Sequence, residues 1–115
     1  MKKMLATLAM VLAGSAAFAG AYNGPKSANE RVLAHDTDQY EVIFNGGEQA
    51  HVVVDGDGDT DLDLYIYDEA GNLITKDDDL TDYCICSWTP GRTGKYIIRI
   101  VNRGSVYNAY TIRTN

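Results

Sequence analysis

The segment 61–67 alternates strictly between two kinds of residue, and this alternation restricts the fold more than any other feature of the chain. Its apolar members are Leu62, Leu64 and Ile66, and acidic or tyrosine residues stand between them. Because successive side chains of a β-strand point to opposite faces, a period of two predicts a strand with one buried face.

Six other short segments have strand-like composition and are separated by turn-forming residues. They span residues 39–45, 49–55, 73–75, 83–89, 95–102 and 107–114. Asn45-Gly46-Gly47 separates the first two, which we expect to form a hairpin. A spacing of 8–12 residues between strands is typical of two packed sheets. We predict an all-β protein, a β-sandwich of about seven or eight short strands. The predicted core comprises Val52, Val54, Leu62, Leu64, Ile66, Cys84, Cys86, Trp88, Tyr96, Ile98, Ile100, Tyr110 and Ile112.

The first 19 residues have the three parts of a secretory signal peptide. Lys2 and Lys3 give a positive start, an apolar run follows, and Ala17-Phe18-Ala19 is a cleavage signal. The apolar run is shorter than the roughly 20 residues that span a membrane. Ser15 stands where a lipoprotein would carry its lipid-bearing cysteine. We therefore predict an unlipidated periplasmic or secreted protein, not attached to the membrane, that begins at Gly20.

The remaining chain has the size of one small domain and is acidic. The whole sequence has 115 residues and a net charge of −6, and loss of Lys2 and Lys3 would make that charge −8. An acidic chain is a poor nucleic-acid binder, because binding phosphates requires a basic face. Residues 20–35 are expected to be flexible or to form a short helix, since Ser27 and Glu30 have the spacing of a capping box. The sandwich domain is then expected to occupy residues 36–115.

Three motifs resemble the bacterial pre-peptidase C-terminal domain family. They are DTDQY at 36–40, DLDLYIYD at 61–68 with a glycine turn after it, and GKYIIRIVN at 94–102. The resemblance covers about residues 32–114 and implies a jelly-roll-like β-sandwich related to clostridial collagen-binding domains. The family is usually appended to secreted proteases, and some of its relatives bind calcium. No protease precedes these motifs here, so we expect a free-standing protein.

Eleven acidic residues and one basic residue lie between Asp55 and Asp82. Calcium takes six to eight oxygen ligands, often from flexible loops that contain glycine. The candidate ligands are Asp55, Asp57, Asp59 and Asp61, joined by Asp36 and Asp38 where the resemblance places some ligands. The positions required for an EF-hand are not matched. The alternative is a solvated strand edge whose charges oppose aggregation.

Cys84 and Cys86 are the only cysteines and lie two positions apart on a predicted strand. A secreted protein with two cysteines suggests a disulfide. Residues i and i+2 of a regular strand lie about 6.6 Å apart, whereas a disulfide needs Cβ atoms about 3.5–4.5 Å apart. Three states therefore remain open: a local disulfide at a strand irregularity, two buried thiols, or an intermolecular bridge.

The sequence contains no recognisable catalytic motif, so we expect a protein that is not an enzyme. Tyr65 and Tyr67 share the polar face of the 61–67 strand, where flat side chains with polar tips can bind a ligand. The predicted function is a binding module for an extracellular protein, peptide or glycan. The alternatives are a structural envelope protein without a dedicated ligand and an inhibitor of an extracellular hydrolase.

Overall fold

A computed structural model describes residues 2–5 and 20–115, which form an all-β sandwich, as predicted. It has nine strands: β1 Lys2–Leu5, β2 Ser27–Val32, β3 Thr37–Phe44, β4 Ala50–Asp55, β5 Leu62–Asp68, β6 Leu73–Asp77, β7 Tyr83–Trp88, β8 Gly94–Asn102 and β9 Asn108–Thr114. The described residues include no helix that is long and apolar enough to cross a membrane.

The strands form two sheets that pack face to face. Sheet A has the order β1-β3-β8-β5-β6, and sheet B has the order β2-β9-β4-β7. Every pairing is antiparallel except that of β1 with β3, which is parallel. The predicted turn after β5 is present, and the amide of Asp68 donates to the carbonyl of Asn72 at 2.9 Å.

The inward side chains of both sheets form one hydrophobic core. Every predicted core residue belongs to it, although Trp88 and Tyr96 are only partly buried and pack against its end. Phe44 joins these two rings, with its centroid 4.8 Å from that of Trp88 and 6.0 Å from that of Tyr96. The period-two pattern therefore identified the buried face of the strands.

One chain of buried hydrogen bonds crosses the core between the sheets. The hydroxyl of Tyr110 donates to Oδ2 of Asp38 at 2.6 Å, and it lies 2.6 Å from the hydroxyl of Tyr40. All three residues are almost fully buried. A buried polar group needs a partner, so this chain fixes the position of Tyr110 on β9 relative to β3.

The prediction for residues 20–35 was wrong, because this segment belongs to the sandwich. Residues 27–32 form strand β2, which pairs with β9 along its whole length. Ala21 is fully buried, and its amide donates to the carbonyl of Asn115 at 2.8 Å. Ser27 and Glu30 have the spacing of a helix cap. In the structure, however, residues 27–31 alternate between exposed and half-buried positions along an edge strand.

The predicted hairpin between the third and fourth strands was also wrong. β3 pairs with β8 in sheet A, whereas β4 pairs with β7 and β9 in sheet B. The turn at residues 45–49 therefore crosses from one sheet to the other. Alternation defines which face of each strand is buried, but it does not define the neighbouring strand.

The predicted cleavage site at residues 17–19 lies outside the described residues, so cleavage stays a prediction. Within the same predicted signal peptide, β1 pairs with residues 37–40 of β3. Loss of residues 1–19 would remove this strand and leave that part of β3 at the edge of sheet A.

A side-chain hydrogen bond joins β6, at one edge of sheet A, to β7, at one edge of sheet B. Asp77, at the end of β6, accepts a hydrogen bond from the backbone amide of Ile85 on β7, with Oδ2 2.9 Å from the nitrogen. We call this contact the edge clasp.

Candidate functional site

Tyr65 and Tyr67 lie side by side on the outer face of sheet A. Their ring centroids are 6.4 Å apart, and the ring planes differ by 24°, which is a stacked arrangement. In the strand register Tyr65 pairs with Arg99 of β8 and with Lys76 of β6. Paired residues of an antiparallel sheet share a face, so these cations stand on the same surface as the tyrosines.

Arg103 holds one end of this surface in place. Its Nε donates to Oδ2 of Asp63 at 2.7 Å, and its Nη2 donates to the hydroxyl of Tyr65 at 3.1 Å. The hydrogen bond to Asp63 is the main cause of a raised pKa at Arg103. Asp63 is 5% exposed, so its charge is covered while the Arg103 side chain stays about half exposed.

Arg99 occupies the middle of the same surface. Its Nε donates to Oε1 of Gln39 at 2.9 Å, and its guanidinium carbon lies 5.2 Å from the ring centroid of Tyr67. That distance is within the range of a cation–π contact. We call Tyr65, Tyr67, Arg99 and Arg103 the tyrosine–arginine face. Its side chains are held by one another before any ligand arrives.

Basic side chains are concentrated on this side of an acidic protein. Residues 20–115 contain eight lysines and arginines, and four of them contribute to the outer face of sheet A: Lys76, Lys95, Arg99 and Arg103. Seven of the eleven acidic residues between 55 and 82 lie instead in or beside the two loops at residues 55–61 and 78–82.

The predicted calcium ligands do not meet at one point. Asp57 caps its own loop: its Oδ1 accepts the amide of Asp59 at 2.9 Å and its Oδ2 accepts the amide of Ala109 at 2.8 Å. Asp55 and Asp59 are exposed. The carboxylate of Asp57 is thus used to hold β9 against the loop.

The two upstream candidates are placed elsewhere. Asp38 lies in the core, bonded to Tyr110, and Oδ1 of Asp36 accepts the amide of Thr37 at 2.8 Å. Among residues 2–5 and 20–115, no group of three or more His, Cys, Asp or Glu side chains is arranged to hold a metal ion.

Asp61, a predicted ligand, and Asp63, two positions further along the chain, differ from the other acidic residues of this region. Each has a buried Oδ1 atom without a hydrogen-bond partner. Burial, followed by the charge of Asp63, raises the pKa of Asp61. The six predicted ligands do not surround one point. Asp61 is the predicted ligand with a buried carboxylate oxygen that lacks a hydrogen-bond partner, and calcium binding stays a prediction.

Cys84 and Cys86 are buried free thiols, so the structure contradicts the local disulfide and agrees with the buried-thiol alternative. The strand is regular there, and both side chains point into the core. Sγ of Cys84 lies 3.2 Å from the carbonyl oxygen of Leu62. Burial raises the pKa of Cys84, and it raises the pKa of Cys86 to about 12.

His51 faces outward from sheet B, because it stands between the buried residues Ala50 and Val52 on β4. Its Nδ1 lies 2.6 Å from Oγ of Ser87 on the neighbouring strand. This pair stands on the opposite side of the sandwich from the tyrosine–arginine face.

The alternation of residues 61–67 identifies Tyr65 and Tyr67 as members of this face, but no sequence pattern identified Arg99 and Arg103 as their neighbours. Their alignment with the tyrosines depends on the pairing of β5 with β8, which are separated by two intervening strands. The motif at 94–102 contains Arg99, but only the register brings that residue opposite Tyr65.

The fold is that of a small jelly-roll-like sandwich, and solved structures share it over the whole chain. The pre-peptidase C-terminal domain of a collagenase from Bacillus anthracis superposes with a TM-score of 0.69 at 9% identity, covering 100% of this chain and 95% of that one. The resemblance seen in the sequence motifs is confirmed at the level of the fold.

Two further structures have the same fold. A periplasmic inhibitor of g-type lysozyme from Aeromonas hydrophila has a TM-score of 0.65 at 12% identity, covering 100% of this chain and 98% of that one. A mitogen from Yersinia pseudotuberculosis has a TM-score of 0.63 at 12% identity, covering 80% and 85%. No protein-family model and no curated protein sequence matches the chain.

Proposed function

We propose that the chain is a periplasmic or secreted, non-catalytic β-sandwich module that binds a protein partner through its tyrosine–arginine face. The observation that carries this proposal is the preformed arrangement of two stacked tyrosines in contact with two fixed arginines. Tyrosine and arginine are the residue types that most often dominate the energy of protein interfaces.

Binding through this face needs little ordering of side chains. Arg103 is already held by Asp63 and Tyr65, and Arg99 is held by Gln39. Immobilising a free side chain on association costs about 0.5–1.5 kcal/mol. Because Arg103 and Arg99 are already held in the folded protein, binding a partner avoids most of this cost. Of the four basic side chains on this side of sheet A, Arg99 is the one without an acidic partner among the described residues, and its charge favours a partner with a carboxylate at its surface.

The structural neighbours support a protein partner and a location outside the cytoplasm. One belongs to a collagenase, and another is a periplasmic inhibitor whose target is itself a protein, g-type lysozyme. A peptide or glycan ligand, which the sequence also allowed, would have to use the same tyrosines.

Site-specific photo-crosslinking tests the proposal. A photoreactive residue at position 67 should capture one partner in secreting cells, while the same residue at Tyr83, which is 49% exposed on the opposite sheet, should not. With the captured partner purified, Tyr67→Ala should weaken binding about tenfold or more, and Tyr83→Ala should leave it unchanged. Capture of a glycan only, or equal effects at both positions, would overturn the proposal. A chain that captures nothing at position 67 would favour the structural envelope role.

Inhibition of an extracellular hydrolase is a second candidate. It is favoured because this chain and the inhibitor from Aeromonas hydrophila superpose over nearly the full length of both. Purified protein added to g-type lysozyme should slow lysis of cell walls in a dose-dependent manner. No change in the lysis rate at a large molar excess would exclude this target.

A further inference from the structure

A second concave site lies at the end of the sandwich away from the acidic loops. The turn after β5 and the loop before β8 enclose a pocket of about 440 Å³, which is within the size range of small-ligand sites. Its lining residues are Asp68, Glu69, Ala70, Arg92, Gly94, Lys95 and Tyr96. We call it the end pocket.

The acidic residues of the end pocket are already engaged. Oδ1 of Asp68 accepts the amide of Asn72 at 2.8 Å, and its Oδ2 accepts that side chain's Nδ2 at 3.0 Å. These bonds hold the turn and lower the pKa of Asp68. Glu69 is mostly exposed and lies 3.9 Å from Nζ of Lys95, which also contacts Glu41 at 3.5 Å.

The polar groups without partners around the pocket are hydrogen-bond donors. Within residues 20–115, the guanidinium of Arg92 makes no hydrogen bond or ion pair, and the hydroxyl of Tyr96 makes no hydrogen bond. Trp88 is not one of the lining residues, but its ring packs on that of Tyr96, with the centroids 5.3 Å apart. The free donors of Arg92 favour a ligand that accepts hydrogen bonds, and a planar guanidinium fits a carboxylate with two parallel bonds.

The loop that carries Arg92 is held by hydrogen bonds from the turn at residues 45–49. The amide of Gly46 donates to Oγ1 of Thr93 at 3.0 Å, and the amide of Gly47 donates to the carbonyl of Pro90 at 2.8 Å. Gly46 packs so closely that a Cβ there would overlap the backbone of Arg92 and Thr93. The backbone of Arg92 is therefore held in place, and the aromatic packing of Tyr96 makes a rigid opposite wall.

We propose that the end pocket binds a carboxylate of a partner polypeptide, from an acidic side chain or a chain end, with Arg92 as the charged anchor. The choice of a polypeptide as the ligand rests on the proposed function. Lys95 lines the pocket and also lies on the outer face of sheet A, so a protein bound to that face could reach the pocket. A polyanionic sugar fits less well, since it would bring several further negative charges beside Asp68 and Glu69, whereas a single carboxylate can bind at Arg92 alone.

Titration with small probes tests the pocket directly. The full chain is titrated with N-acetyl-L-glutamate and with N-acetyl-L-glutamine amide, and Trp88, the only tryptophan, reports binding through its fluorescence. The glutamate probe should bind at least tenfold tighter than the uncharged one. Arg92→Gln should weaken binding of the glutamate probe by tenfold to a hundredfold. Arg92→Lys should retain only part of the affinity, because lysine lacks the planar guanidinium that can donate two parallel hydrogen bonds. Arg113→Gln, on the outer face of sheet B, is the control and should bind like the unaltered chain.

Equal binding of the two probes, or an unchanged affinity in Arg92→Gln, would overturn the proposal. Tighter binding of D-glucuronate than of the glutamate probe would overturn the polypeptide source. This titration needs no protein partner, so its result is independent of whether crosslinking at Tyr67 succeeds. Cooperative unfolding of each variant, followed by the same fluorescence, verifies that the fold is intact.

Discussion

Tyr110 and Tyr40 share one hydrogen bond in the core, but the structure gives them unequal roles. A phenol has a single hydrogen, and the hydroxyl of Tyr110 directs it to the carboxylate of Asp38. Tyr40 must therefore donate to Tyr110. Tyr110→Phe removes both bonds, whereas Tyr40→Phe removes only the outer one. The two substitutions delete the same atom type from similarly buried rings, so each is the control for the other.

The expected costs follow from what each variant leaves behind. Tyr40→Phe loses one bond between neutral groups, which contributes about 0.5–1.5 kcal/mol. Tyr110→Phe loses a bond to a carboxylate, about 1.5–3 kcal/mol, and leaves the Tyr40 hydroxyl buried without a partner, about 1–3 kcal/mol more. We expect a loss of about 1 kcal/mol for Tyr40→Phe and about 3–5 kcal/mol for Tyr110→Phe, a large share of the roughly 5–15 kcal/mol of a typical domain.

Urea unfolding followed by Trp88 fluorescence measures both free energies. With a slope of about 1.5 kcal/mol per molar urea, the midpoint should fall by about 0.7 M in Tyr40→Phe and by about 2–3 M in Tyr110→Phe. Equal losses in the two variants would refute the reasoning, since Tyr110 would then not be the centre of the chain. Adding Asp38→Asn to each variant should reveal strong coupling to Tyr110 and weak coupling to Tyr40.

Cys84 and Cys86 should resist a thiol reagent in the native protein and react in urea, because burial raises the pKa of both thiols; mass spectrometry that finds rapid native labelling would contradict this. Asp61→Asn should raise the melting temperature at pH 7, because a raised folded-state pKa makes the ionised carboxyl destabilising, and the gain should vanish below pH 3.8. Millimolar calcium should raise the melting temperature of the unaltered chain but not of Asp61→Asn, whereas an equal rise with sodium at matched ionic strength would mean screening alone. Gly46→Ala should cost about 1–3 kcal/mol in urea unfolding, while Gly91→Ala, which has open space around it, should change stability by less than about 0.5 kcal/mol; similar losses would contradict the close approach at Gly46.

The sequence predicts the strands well because burial imposes a period of two on each of them. Seven predicted strands match β3 to β9 within about two residues at each end. β2 was missed because Ser27 and Glu30 have the spacing of a helix cap, and a short edge strand buries too little to produce a strong apolar pattern. Tertiary pairing with β9 decides the conformation of this segment.

The candidate sites depend on contacts that local sequence does not encode. The acidic residues after β4 suggested a metal site, but Asp57 is used to accept backbone amides, which no spacing rule reveals. The end pocket combines residues from two connections that are more than 20 positions apart. Only the register of β5 with β8 brings those connections together.

The edge clasp between Asp77 and Ile85 also affects how the protein behaves at high concentration. An edge strand with unpaired amides is a template onto which another chain can add, and Tyr83 and Ile85 give the outer face of β7 an apolar character that would favour such growth. The carboxylate of Asp77 occupies the amide that an incoming strand would need first. One aspartate thus links the two sheets and, at the same atom, removes a backbone donor from the edge of β7.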